Sequence, residues 1–507
     1  MAMPAWPCRI GWTIMYNDSD MLVWCPAHVS VPTPSQDGCS PIFSNLSAVL
    51  GWLRFNFPSI PGTIWISKNY NSALIRDKGI VFDGAILGEM AQFALTIIGG
   101  WDGPGAGTVD TAAPSTFDGE FLTILNWKGD VVLKNIRVKN VIFPRTTYSC
   151  GIAALCVQTA SNIQLDRVQV NGNEPLTGVY LDNTSSITER MGSVIVTNSQ
   201  FFENGCSGLL INTSGAVTLQ NVAASGNRQQ YGVYIFNAHE STLSPVTVTD
   251  GQFNANKFAG LSIHSAGMAT LRNVCAQGNL EDGMLVDNTY GFEDVLLKGT
   301  NIFLCNGGEG LAVYSKGNVA AEHLVAYKNG HDNMKDGVYI DNSAAPLAKD
   351  VTITERGEFE GNGYRGLAIY SRGAITTNNL TATSNRGSGT CLITVMGRTT
   401  LPAVTLRGVN SFAGNGIHGL DLYSYSDGRV TLHGVNADAN ATFGISVHAD
   451  GNVTLTSSGT YKNNVGLYVR AANGRDALAR LTLQGFLSHL KNTLNEDLLT
   501  TDVIHVK

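Results

Sequence analysis

The sequence predicts an all-β solenoid, a parallel β-helix of roughly 12–15 coils, on three observations. A unit of Gly followed by apolar, any, apolar recurs at a mean spacing of about 26 residues. An Asn precedes each Gly, and a Thr/Val-rich run follows it. No stretch inside a unit is long enough for a helix. One short strand set per 20–30 residues is the period of a solenoid turn, whereas propeller blades need roughly 40 residues or more. The Leu frame of leucine-rich repeats is absent.

The composition agrees. The chain has 507 residues, 56 of them Gly, with 43% hydrophobic and 14% charged. That hydrophobic content excludes disorder, and no apolar run approaches the ~18 residues of a membrane span. A net charge of −7 excludes the basic stripe a nucleic-acid binder needs. Met1-Ala2-Met3-Pro4 shows no basic region leading into an apolar one, so no signal peptide is visible. Nine cysteines cannot all pair internally, and none falls in a zinc-type cluster. Cys206, Cys275, Cys305 and Cys391 read as small hydrophobes, whereas Cys8, Cys25 and Cys39 could include a disulfide.

In chain order, residues 1–60 are an irregular leader and N-terminal cap. Its helix spans 43–55, with Leu46, Val49, Leu50 and Leu53 on one face. Strands are expected at 62–67, 95–100 and 121–125, and the solenoid occupies 61–485. The Gly units read GVYL at 178, GVYI at 232, GLAV at 310, GLAI at 366 and GLYV at 466, among others. The runs AVTLQNV (216–222), DVTITER (350–356) and NVTLTSS (452–458) supply the next strand of a coil. The Asn series, including Asn256, Asn279 and Asn306, suits a ladder of stacked turn amides. Loops after the Gly strand alternate short (NTSG, 212–215) and long (DNTYGFE, 287–293), so the cassette is two coils. Residues 486–507 form a C-terminal cap, in which 485–499 has helical spacing.

The GVYI and GLAI units, the Asn series and the VTL strands resemble right-handed parallel β-helix proteins of the pectin-lyase-like superfamily, over about residues 60–485. The resemblance implies right-handed coiling. It implies no single activity, since that superfamily holds lyases, hydrolases, epimerases and non-catalytic surface proteins. The Trp-Ile-Asp-His, Asn-Thr-Asp and Gly-His-Gly runs of its enzymes are absent, so no catalytic residue carries over.

The chemistry then rests on the outward positions of the Gly strand, two and four residues after each Gly. This column is rich in Tyr, Asp and His. His264, Tyr314, Tyr339, Tyr370 and Tyr423 are candidate glycan contacts, because rings stack on the apolar faces of sugars. Asp287 and Asp341 are candidate catalytic carboxylates, two coils apart. Both also precede an Asn at the start of a loop, which is good turn chemistry. The expected function is an extracellular or cell-surface solenoid that binds glycan or serves as a structural or adhesive rod. The alternative is a lyase or hydrolase acting on an extended, acidic glycan. No cofactor and no metal are called for. The expected partner is a polysaccharide or cell-surface glycan, with no nucleic acid and no membrane span; self-association is compatible with an open solenoid.

Overall fold

The computed structural model describes residues 21–72, 79–142, 153–184, 191–239, 243–395, 402–425, 428–471 and 480–485, then 487–488, 492, 494–500 and 504–506. Each repeat contributes three strands to a coil. In one coil these are Val233–Asn237, Val246–Thr249 and Gln252–Asn254. The Gly strands form one parallel sheet of 16 strands, and the other two sets form a 30-stranded sheet covering the remaining faces. Residues pair one for one between coils: Val233 with Leu261, Leu261 with Met284, Met284 with Leu311.

The two-coil cassette is built into the core. On the third strand Phe201, Ala224, Phe253, Ala276 and Phe303 lie in register, and each is buried. The alternation continues through Ala326, Phe359, Ala382 and Phe412. A ring facing a methyl on each neighbouring coil fills the interior without overlap, as close packing requires. Coils that carry Phe also carry the long loops.

The Asn ladder is continuous. Asn279 Nδ2 donates to Asn306 Oδ1 at 2.9 Å and to the Phe253 carbonyl at 2.9 Å. Its own Oδ1 accepts from the backbone and side-chain nitrogens of Asn256 at 2.9 and 3.0 Å. The residue before each ladder Asn turns the chain; at Gly278 the φ is +65° and at Ala255 +54°. The repeat glycine serves the ladder too. A Cβ on Gly232 would lie 2.6 Å from Asn256 Nδ2 and 2.4 Å from the Gly260 carbonyl oxygen. There is no room there for a side chain.

At the N-terminal end, helix Leu46–Asn56 buries Leu46, Val49, Leu50 and Leu53, as its spacing predicts, and Asn45 Oδ1 caps the Ala48 N–H at 2.8 Å. Strand Leu22–Pro26 pairs antiparallel with Gly62–Ser67, and a Cys25–Cys39 disulfide closes the leader. Cys8 lies outside the described residues. Cys156 is also disulfide-bonded, while Cys206, Cys275, Cys305 and Cys391 are free thiols. Of these Cys391 is buried, but Cys305 is exposed and is not a core residue.

Among the described residues of the C-terminal segment, strands stand where the sequence predicts a helix. The described parts of 485–499 are strands Leu487–Ser488 and Leu494–Thr500, the latter pairing with Val465–Ala471. The open edge of the last coil offers a row of unpaired backbone groups, and pairing with them outweighs the helical spacing of the leucines. Asn492 extends the ladder: Asn463 N–H donates to its Oδ1 at 2.8 Å. No helix among the described residues is long and apolar enough to cross a membrane.

Candidate functional site

The strand register builds the expected column. His264, Asp287, Tyr314, Asp341 and Tyr370 occupy one position on five successive Gly strands. Ser262, Leu285, Ala312, Tyr339 and Ala368 occupy the other outward position. The small members of this second set are not open to solvent: Ser262 and Ala368 are fully buried and Ala312 nearly so. Long neighbours cover them. Tyr370 Oη, for example, meets Arg365 Nη1 at 2.8 Å on the same coil.

Three tyrosines come together. The Tyr314 and Tyr339 ring centroids are 5.6 Å apart, and those of Tyr339 and Tyr370 are 5.5 Å apart. The planes are tilted by 48° and 40°, so the rings form a stepped row along the solenoid axis. Tyr314 is 39% exposed. Tyr339 Oη donates to Asp341 Oδ2 at 3.2 Å.

His264 belongs to a neighbouring aromatic group, with Tyr234 at 5.3 Å and Tyr290 at 6.3 Å between centroids. Tyr423 stands apart, beyond Ile393. Its ring lies parallel to His448 at 4.6 Å, and both help line a cavity of about 430 Å³ with Tyr425, Ala449, Asp450 and Arg470.

Asp287 and Asp341 both do turn work. Asp287 Oδ1 accepts from Thr289 N at 3.1 Å and Thr289 Oγ1 at 2.6 Å; Asp341 Oδ1 accepts from Ser343 N at 2.9 Å. The next residues hold the loops closed, Asn288 through the Glu293 carbonyl and Asn342 through that of Lys349. Asp287 Oδ2 also faces His264 Nδ1 at 3.6 Å, and His264 Nε2 lies 3.2 Å from Ser262 Oγ. Burial opposes ionisation of Asp287, but the neighbouring His264 ring and the hydrogen bonds from Thr289 outweigh it and hold the carboxyl below its usual range. With Ser262 fully buried, this chain positions the imidazole rather than offering a nucleophile.

A further set of charged residues flanks the row from the position just before each Gly. It comprises Asp282, Glu309, Asp336 and Arg365 on four successive coils. The Glu309 N–H donates to Asp282 Oδ1 at 2.9 Å, and the Glu309 carboxylate pairs with Lys335 at 3.0 Å. Burial, then the hydrogen bond and negative charge of the Glu309 side chain, push Asp282 up to about 7. Arg365 forks onto Asp336 at 2.8 and 3.0 Å. Burial works against the Arg365 charge, and the Asp336 pair outweighs it. The sequence reading passed over these residues because they sit in turns. The available signal was a charged residue directly before the glycine in four units running: DG, EG, DG and RG.

Among the described residues no group of three or more His, Cys, Asp or Glu is arranged to hold a metal ion. The site is thus a sheet face with an aromatic row, fringed by carboxylates and two paired cations, on a parallel β-helix.

The chain belongs to the family described as the right-handed β-helix region, which matches residues 123–276, 177–331 and 323–478. The superfamily resemblance read from the repeats holds at that level. Among solved structures, the periplasmic alginate epimerase AlgG is similar at 13% identity, covering 83% of this chain and 96% of that one, with a TM-score of 0.39. The A-module of the Azotobacter vinelandii mannuronan C-5 epimerase AlgE4 is similar at 14% identity, covering 73% and 91%, with a TM-score of 0.33. Likenesses this distant carry nothing about activity. No curated protein sequence matches the chain.

Proposed function

We propose that the protein is an extracellular or cell-surface β-solenoid that binds an extended glycan along its axis, across the stacked Gly strands. The observation that carries this reading is the stepped row of Tyr314, Tyr339 and Tyr370, with centroids 5.6 and 5.5 Å apart. Coils repeat at about 4.8 Å, close to the rise of one sugar along a chain, so successive rings can meet successive residues. Asp341 and Tyr314 offer polar groups beside the rings for sugar hydroxyls. The Cys25–Cys39 disulfide supports an oxidising compartment.

A second reading, a polysaccharide-active enzyme, is supported by one feature: Asp282, beside Glu309, keeps its proton up to about pH 7 and so provides an acid near neutral pH. Asp287 and Asp341 lie two coils apart, roughly 9.6 Å, at the outer edge of the spacing for inverting hydrolysis. The test is a polysaccharide panel scored for binding, for new reducing ends and for unsaturated products. The binding reading expects retention without turnover. Turnover lost in Asp282→Asn, or in Asp287→Asn and Asp341→Asn, would establish the enzyme instead.

A further inference from the structure

The charge around the tyrosine row bears on which glycan it takes. Two cations reach the row, and both are committed. Lys335 is paired with Glu309 at 3.0 Å, and Arg365 is forked onto Asp336 and hydrogen-bonded to Tyr370. On the turns just past the row, Arg372 Nη1 donates to the Ala345 carbonyl at 2.6 Å, and Lys316 lies over the Phe292 ring at 5.8 Å. The carboxylates outnumber them. The Tyr314 hydroxyl is held above its usual range by burial first, then by the negative charges of Glu309, Asp282 and Asp341, with Lys335 alone opposing. A polyanion laid on the row itself would meet Glu309, Asp336 and Asp341 against two cations whose charges are already taken by carboxylates; Arg372 and Lys316, which have no carboxylate partner among the described residues, lie beyond it.

An amino group would meet the opposite situation. The Tyr314 ring is exposed and lies within the field of the Glu309 carboxylate, and an ammonium is held well by an aromatic face beside a negative charge. Lys335, which is largely solvent-facing, can give up its place on Glu309 to such a group.

We infer that the row takes a glycan free of carboxylate and sulfate groups, and that an amino-sugar polymer suits it better than its neutral, N-acetylated counterpart. This rests on the glycan-binding reading above and reverses the acidic glycan expected for the enzymatic alternative.

The experiment is calorimetric titration of the full chain at pH 6 and low salt with three soluble hexamers: glucosamine, N-acetylglucosamine and galacturonate. The expected order is glucosamine tightest, by about tenfold, then N-acetylglucosamine, with galacturonate undetected. Added salt should shrink the first interval. Glu309→Gln should reduce glucosamine binding toward the N-acetylglucosamine value and leave the latter unchanged; a thermal melt confirms that the variant folds. Galacturonate binding as tightly as either other hexamer overturns the inference while leaving the glycan reading in place. So does N-acetylglucosamine binding tightest, or a glucosamine preference that persists in Glu309→Gln. Binding of none of the three overturns the inference and the glycan reading together.

Discussion

The inside and the outside of this solenoid keep the two-coil period over different lengths. On the third strand, Phe and Ala alternate coil by coil from Phe201 to Phe412, each buried against the next. The Asn ladder repeats every coil. On the outward side of the Gly strand the same register carries His264, Asp287, Tyr314, Asp341 and Tyr370: Asp and Tyr alternate by cassette from Asp287 to Tyr370, and the alternation stops at His264. Interior positions are fixed by the ring or methyl on neighbouring coils, so duplication preserves them. The outward positions stand outside that packing: Asp287 and Asp341 hold loop starts through Thr289 and Ser343, and between Asp282 and Arg365 charges cluster beside the tyrosine row.

If the inward period is set by packing, Phe303→Ala should be among the costliest single changes. It would leave three alanines in a row, Ala276, position 303 and Ala326, around an unfilled volume. A loss of about 3–5 kcal/mol is expected, read from denaturant unfolding. Asn279→Leu comes next. It removes the amide that serves Asn256, Asn306 and Phe253, and each buried group left unpaired costs roughly 1–3 kcal/mol. A parent-like melting temperature would break the ladder account.

Asp282→Asn addresses the irregular side. The folded chain holds a proton on Asp282 up to about pH 7, whereas the unfolded chain releases it near the ordinary value of 3.8. The stability this group contributes is therefore full below that ordinary value and is lost as pH rises through about 7. The Asn variant should lose less stability than the parent between pH 5 and pH 8, by comparison of urea midpoints. An identical pH slope in both proteins would separate the Asp282–Glu309 pair from the fold's titration.

Much of this arrangement was legible in the residues. Alternation after each Gly fixed which side chains share a column, because a strand's side chains alternate strictly between faces. The helix at Leu46–Asn56 showed in its apolar spacing. Four things were not legible. The C-terminal leucines suit either a helix or a strand, and only the open edge of the previous coil decides between them. Tyr339 belongs to a different outward position from Tyr314 and Tyr370, yet its ring falls between theirs, since ring length rather than register sets that contact. Asp282, Glu309, Asp336 and Arg365 sit in turns, where no periodicity announces direction; only stacking makes them neighbours. The Cys25–Cys39 pairing likewise follows from the leader's fold, not from spacing.

The central claim is that the outward face, alone among the faces of this solenoid, is shaped by a ligand. Its most direct test is the affinity of N-acetylglucosamine hexamer for the parent and for the double variant Tyr314→Ala/Tyr370→Ala, with thermal melts of both. Neither ring lies in the core, and Arg365 keeps its Asp336 partner when Tyr370 is gone. The account predicts unchanged melting and a loss of affinity of roughly tenfold or more, from about 0.5–1.5 kcal/mol per lost ring contact. Equal affinity in parent and variant, at equal stability, would contradict it.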